Sequence, residues 1–411
     1  MYKNRFFNFV IAFITCSVIV ACSSLDRKSA VLDSKLQSVQ VEGMSNIRFV
    51  PSTDDGISAF LNELKVVAPK HVQSNKMPTY LSLSGGGDNG AFGAGLLFGW
   101  TVQGSRPVFD QVVGISTGSL IAPFAYLGSD YDYKIKEVFT SVTPADIYKV
   151  RPLVSVLFGM SIGDNSPLFE LISKTVDSEM LEKIAQAYET EGRLLLLGTT
   201  NIDSGQLVLW NMGKIASLRT PESALLFHRV MLASAAVPGF FPPELFESTL
   251  DGVDYHELHV DGGLSVQIYL YPAAAGKRAI ETGILKPRPR QAFIIRNAKI
   301  SVEQGTTEVN SLSVLDKSYK KIIQSQGVGN LYQIYQIALR DKVNFNLAFI
   351  GDDFKQPHPA EFDKQYMQAL FDYGYNKAVN GYPWAKSPPG YDQSTKEDIK
   401  ALSQTRHSSV Q

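Results

Sequence analysis

"FDQVVGISTGSLIAPFAYLG", residues 109–128, reads as two elements with no linker between them. Phe109–Ser116 has the apolar, β-branched character of a buried strand, through Val112, Val113 and Ile115. Thr117–Gly128 reads as a helix. The junction is "GISTG", Gly114 to Gly118, a G-x-S-x-G. That pattern marks a sharp strand-to-helix turn that thrusts its serine, Ser116, above the sheet and exposes it to substrate. Gly114 and Gly118 leave room where Cβ atoms would collide. The following helix presents its N-terminus to the same place, where its dipole favours negative charge.

The flanking sequence repeats the alternation. "TYLSLS" (79–84) is a predicted strand that runs into "GGGDNG" (85–90), and "GAFGAGLLFGW" (90–100) is a helix. "RLLLLGTTNI" (193–202) is an apolar strand, and "QLVLW" (206–210) follows it across a tight turn as a hairpin. "PESALLFHRVMLASAA" (221–236) is a helix opened by proline. "ELHVDGG" (257–263), "QAFIIRN" (291–297) and "NFNLAFIG" (344–351) are further strands. Residues 310–341 have helical spacing interrupted by Gly327 and Gly329, and 360–379 is another helix. Apolar strands alternating with helices predict an α/β fold, a mainly parallel sheet covered on both faces.

The chain has 411 residues, 44% hydrophobic and 19% charged, with a formal net charge of −1. That is ample material for a large core, and bulk charge gives no sign of a nucleic-acid partner. At the N-terminus Lys3 and Arg5 precede an apolar run from Phe6 to Ala21, which reads as a secretory signal over residues 1–21. Ile19-Val20-Ala21-Cys22 resembles the bacterial lipobox. The resemblance implies cleavage before Cys22, lipidation of that residue, and attachment to a membrane through it. Ser23 after the cysteine favours the outer membrane of a Gram-negative-type envelope. Cys16 would be lost with the signal, leaving no thiol for a disulfide or a metal. Residues 22–75 are expected to be a polar tether with a short helix near 57–67. The main domain is expected over 76–300, a helical and strand extension packed on it over 301–390, and a polar tail over 391–411.

Three stretches carry candidate chemistry. Gly85, Gly87 and Gly90 make a G-x-G-x-x-G between a strand and a helix, with Asp110 twenty residues further on, which is the outline of a dinucleotide cradle. The elbow at Ser116 argues for another use. Acyl transfer passes through an oxyanion, and the amides of a glycine loop can point at that oxygen as readily as at a phosphate. A nucleophilic serine needs a base. His358 and His407 follow in the order a triad requires, but each reads as a surface residue. Asp261 in "HVDGG" ends a strand beside Gly262 and Gly263, where an open α/β sheet places functional groups. Its ordinary pKa of about 3.9 is too low for a base, and burial would raise it. The same residues also suit a plain turn. "LVSVLFGM" (153–160) and "PGFFPPELF" (238–246) suit core packing or a greasy rim for acyl chains.

Taken together, "GGGDNG" (85–90), "GISTG" (114–118) and "DGG" (261–263) resemble the patatin-like phospholipases. "GTTNIDSGQLVLWNMG" (198–213) and "ASAAVPGFFPPELF" (233–246) resemble that family's central strand pair and its Pro-turn. The resemblance implies a three-layer α/β/α sandwich and a lipid acyl-ester hydrolase with a Ser116–Asp261 dyad. It further implies an oxyanion hole from the amides of Gly86, Gly87, Asp88 and Thr117, a lipid or acyl-ester substrate, no metal and no cofactor. One position departs from the family: Asn89 stands where the loop usually has a basic residue. That departure keeps open a second expectation, a weak or inactive envelope binding or scaffold protein.

Overall fold

The computed structural model describes residues 27–72, 76–152, 161–301, 309 and 311–391. The expected signal, Cys22, the stretch 153–160 and all of the tail but Tyr391 lie outside these residues. Ten strands form one sheet: β1 (Gln40–Val41), β2 (Arg48–Phe49), β3 (Thr79–Leu83), β4 (Gln111–Ile115), β5 (Leu194–Asn201), β6 (Gln206–Asn211), β7 (Glu244–Leu250), β8 (Val253–Asp261), β9 (Arg290–Lys299) and β10 (Val343–Ile350). The spatial order is β1-β7-β8-β5-β4-β3-β9-β10, with β6 pairing β5 and β2. The run β5-β4-β3-β9-β10 is parallel, and the pairs outside it are antiparallel.

Strand alternation divides the core into two. Leu81, Leu83, Val112, Leu195, Leu197, Phe293 and Ile295 point to one face. There they meet α2 (Gly90–Gln103), α3 (Thr117–Leu127), α4 (Pro221–Ser234) and α6 (Lys364–Val379). Val113, Leu194, Leu196, Ala292 and Ile294 point to the other face, against α1 (Asp54–Val72) and α5 (Ser311–Arg340). Period-two strands with both faces apolar demand this arrangement. The fold is a three-layer α/β/α sandwich.

The C-terminal helix α6 lies directly on α2. A Cβ at Gly95 would sit 2.0 Å from the Phe371 carbonyl oxygen, and one at Gly374 would sit 2.4 Å from that of Phe92. The two helices therefore touch backbone to backbone. α5 runs unbroken through Gly327 and Gly329, which the sequence suggested as an interruption. The guanidinium of Arg296 lies where a Cβ at Gly327 would go.

The described part of the expected tether is built into the sheet instead. β1 pairs β7, and β2 pairs β6. Leu36, Val41, Ile47, Phe49 and Val50 are buried. Arg48, 2% exposed, pairs through both terminal nitrogens with Glu257, 0% exposed, at 3.0 Å. The segment is polar because its partners are: Glu257 also accepts from Asn201 at 3.0 Å. The helix α1 is longer than its apolar repeat suggested, starting at Asp54 and ending at Val72.

Candidate active site

One edge of β5 brings the motifs together. β6 occupies the other edge. On the first edge Ile115 of β4 pairs Gly198, and Asp261 of β8 pairs Thr199, the next residue along. The end of β4 and the end of β8 therefore meet head on. Ser116 follows one and Asp261 closes the other. A Cβ at Gly262 would lie 2.3 Å from the Gly198 carbonyl oxygen, so glycine is needed to let the two ends meet.

Ser116 holds φ 54° and ψ −128°, a conformation that L residues avoid. The turn around it enforces the strain. Cβ atoms at Gly114 and Gly118 would fall 2.5 Å and 2.3 Å from carbonyl oxygens of Gly118 and Leu83. The Ser116 amide donates to the Ser234 hydroxyl at 3.1 Å, and that hydroxyl donates to the Gly198 carbonyl at 2.6 Å. The Ser116 carbonyl accepts from the Ser119 hydroxyl at 2.6 Å. Thr117 opens α3, so its amide has no acceptor within the helix.

The Ser116 hydroxyl donates to Asp261 Oδ2 at 2.6 Å. Asp261 Oδ1 accepts from the Gly263 amide at 2.6 Å, which fixes the carboxylate plane. Ser116 is 9% exposed and Asp261 3%. The serine is thus recessed in a crevice rather than raised into solvent as the elbow pattern suggested, because the Gly85 turn and Gln267 close over it. Burial without a cation pushes the Asp261 carboxyl up to about 7, against the pull of its two hydrogen bonds.

The glycine loop borders the serine. A Cβ at Gly85 would lie 3.0 Å from that of Ser116. Gly86, at φ 157°, passes so close to the Asn297 carbonyl that a Cβ would stand 2.2 Å from it. Gly87, at φ 57°, faces open space. Gly87–Asn89 form a single 3-10 turn that leads into α2 at Gly90. Among the described residues the amides of Gly86, Gly87 and Asp88 find no backbone acceptor. Such an array of free N–H groups suits a negative charge.

Sequence reasoning missed Tyr319 and Tyr366 at this site. Tyr319 of α5 is half-buried, and its hydroxyl is pushed up to about 12 by burial and by the Asp261 charge. Buried Asp88 accepts at Oδ2 from the Phe362 amide at 2.8 Å and from His358 Nε2 at 2.7 Å. Tyr366 donates from its hydroxyl to Asn89 Oδ1 at 2.5 Å. His358 was weighed as a triad base, yet it meets the loop and not the serine. Asn89 makes no side-chain cap on α2. Asp88, His358 and Glu361 place possible metal-ligand atoms within 4.8 Å of one another. His358 Nε2 and Asp88 Oδ2 meet in a direct hydrogen bond at 2.7 Å, shorter than the roughly 3.3 Å that separates two ligands on a tetrahedral zinc. A separate cavity of about 80 Å³ lies at the opposite end of the parallel strands, beside Gln111, Leu194 and Arg290.

The elbow, the aspartate and the glycine loop fall in one stretch of the chain, and residues 81–270 match the family model described as patatin-like phospholipase. The chain carries a patatin-like phospholipase domain. That family is one of lipid hydrolases, which implies a lipid substrate. Among solved structures the chain is similar to VipD from Legionella pneumophila, at 11% identity and a TM-score of 0.36, over 75% of this chain and 68% of that one. No curated protein sequence matches it. The patatin-like stretch starts within β3, runs past β8 and ends before β9, β10, α5 and α6.

Proposed function

We propose that this chain is a serine hydrolase of lipid acyl esters, of phospholipase A type, with Ser116 as nucleophile and Asp261 as its general base. The 2.6 Å hydrogen bond between them carries the reading. Ser116 Oγ attacks the ester carbonyl carbon while its proton passes to Asp261 Oδ2. The carbonyl oxygen becomes an oxyanion facing the amides of Gly86, Gly87, Asp88 and Thr117. As the intermediate collapses, the C–O bond to the alcohol breaks and Asp261 returns the proton to the departing oxygen. Water then attacks the acyl-serine carbonyl, giving its proton to Asp261; the C–Oγ bond breaks, Asp261 returns the proton to Ser116 Oγ, and the fatty acid leaves. A carboxyl near 7 suits both directions of transfer at neutral pH.

The walls of the crevice support a lipid substrate. Leu315, Tyr319, Ile322 and Gln326 recur at helical spacing on one face of α5. Gln326 donates to the Ser265 carbonyl, just beyond Asp261, at 2.8 Å. Leu315 and Ile322, 68% and 67% exposed, continue that face as an apolar border. Of "PGFFPPELF", Phe241 and Phe246 are buried and serve the core. We also propose, from the sequence of residues 1–23, that lipidated Cys22 holds the domain at the outer membrane.

A fluorophosphonate probe tests the nucleophile. Wild type is expected to label and to release fatty acid from phospholipid vesicles, and Ser116→Ala to do neither. A wild type that fails at both returns the domain to the scaffold reading. Palmitate incorporation in cells that is unchanged by Cys22→Ser would remove the anchor.

A further inference from the structure

The loop that faces Ser116 carries no cation of its own: its two polar positions are Asp88 and Asn89. Among the described residues, the hydrogen-bond partners of those two side chains come from residues 358–366. Asp88, 1% exposed, receives two hydrogen bonds, both from residues 358–362. His358 stacks on Tyr366, with ring centroids 4.2 Å apart and planes 28° from parallel. Tyr366 holds Asn89. Asp363 accepts from the Tyr366 amide at 2.8 Å, capping α6 and fixing where that ring stands. Both polar residues of the loop are thus gripped by one short segment that lies outside the patatin-like stretch.

We propose that His358 is a positioning residue of the proposed ester hydrolysis: as an imidazolium paired with buried Asp88, it holds the Gly85–Gly90 turn with its amides facing Ser116. The proposal rests on the assignment of that turn as the oxyanion hole. A buried carboxylate with a proton-bearing partner is stable in place; with the partner gone it seeks water and takes the turn with it. The groups facing the imidazole are Asp88, Glu361, Lys320 and the Tyr366 ring. The hydrogen bond to Asp88 raises the His358 pKa, Glu361 adds to the pull and Lys320, which bridges to Glu361 at 3.2 Å, opposes it. Turnover then needs Asp261 unprotonated and His358 protonated. The acid limb of the pH profile belongs to Asp261, near about 7, and the alkaline limb to His358. Tyr319, pushed to about 12, stays outside that window.

The experiment compares wild type, His358→Gln and His358→Ala over pH 5–10, by ester turnover and by thermal unfolding. Glutamine keeps an N–H donor for Asp88 without the charge, as a neutral imidazole does, so its turnover should stay at the wild type's low alkaline level at every pH, with the acid limb kept and no alkaline limb. Alanine should lower kcat/KM by roughly ten- to a hundredfold, the cost of a misplaced catalytic group, with the loss mainly in kcat. A His358→Gln profile with the wild-type alkaline limb, or a His358→Ala enzyme with wild-type kcat/KM, overturns the proposal. Thermal unfolding reads the clamp without catalysis. The folded pKa of His358 is raised, so its stabilisation is full below the unfolded value of about 6.5 and fades as pH rises through the folded one. Wild type should melt above His358→Gln at pH 6, by a margin that shrinks toward pH 9. A wild type that neither labels nor turns over, but shows this margin, defeats the hydrolase reading and leaves the clamp. A margin that does not change with pH defeats the clamp.

Discussion

Glu257 and Asp261 stand four residues apart on β8, both buried, and their carboxyl groups are pushed in opposite directions. Glu257 lies against Arg48 and is held well below the usual carboxylate range, the cation and its hydrogen bonds outweighing burial. Asp261 has a serine hydroxyl and one amide for company, and burial lifts it to about 7. Strand, depth and chemistry are nearly shared; the difference is whether a cation comes with the burial. The middle of β8 fastens the N-terminal segment to the sheet. Its end holds a carboxylate whose proton can come and go.

The largest effects should come from the end of the strand. Asp261→Asn keeps the shape and removes the base, and is expected to lower ester turnover by about a thousandfold or more, as is Ser116→Ala. Both variants should keep the wild-type circular dichroism spectrum. Next is the middle of the strand. Arg48→Met strands a buried Glu257 and should cost about 3–5 kcal/mol of stability in urea unfolding. Adding Glu257→Gln should recover part of that loss; no recovery would mean that packing, not charge, joins the N-terminal segment to the sheet.

The third effect is a sign reversal between the two carboxyls. Asp261 has a raised folded pKa, so its contribution to stability is intact below about 4 and is lost as pH rises through about 7. Asp261→Asn should therefore be more stable than wild type at pH 8, by about 2–4 kcal/mol, with the advantage fading toward pH 4. Glu257 has a depressed pKa, so its contribution is present above about 4.3 and is lost in acid. Wild type should lose stability in acid faster than the Arg48→Met/Glu257→Gln pair. The smallest effect tests the polar network around Glu257. The Thr199 hydroxyl contacts His259 Nδ1 at 2.8 Å and accepts from Trp210 Nε1 at 2.8 Å. Thr199→Val should cost about 1–3 kcal/mol with turnover little changed.

The Ser116–Asp261 pairing at one end of this comparison was legible in the sequence as motifs, and the Arg48–Glu257 pairing was not. Ser116 follows an apolar strand and Asp261 ends a mixed one, each beside glycines that the backbone geometry requires, and local sequence records that need. The strands β3, β4 and β5 are buried on both faces, so their apolar runs stand out. Arg48 lies in a two-residue strand within a polar segment, where no period has room to show, and its partner is 209 residues away. β7 was missed although Asp251-Gly252, both at positive φ, form the tight turn that joins it to β8. The grip of His358 on Asp88 spans 270 residues. Neither residue type announces the other.

The contact between α2 and α6 has a consequence in time. α2 continues directly from the glycine loop, and its glycine face is shaped to receive the backbone of a helix that begins at Lys364. On a ribosome, Ser116 and Asp261 are both made long before that helix exists. A nascent or truncated chain that stops before residue 358 holds Ser116 and Asp261 but leaves the glycine face of α2 bare and Asp88 without its side-chain partners. Such a chain is structurally unfinished, so residues 358–379, synthesised after both groups, decide when the domain is complete.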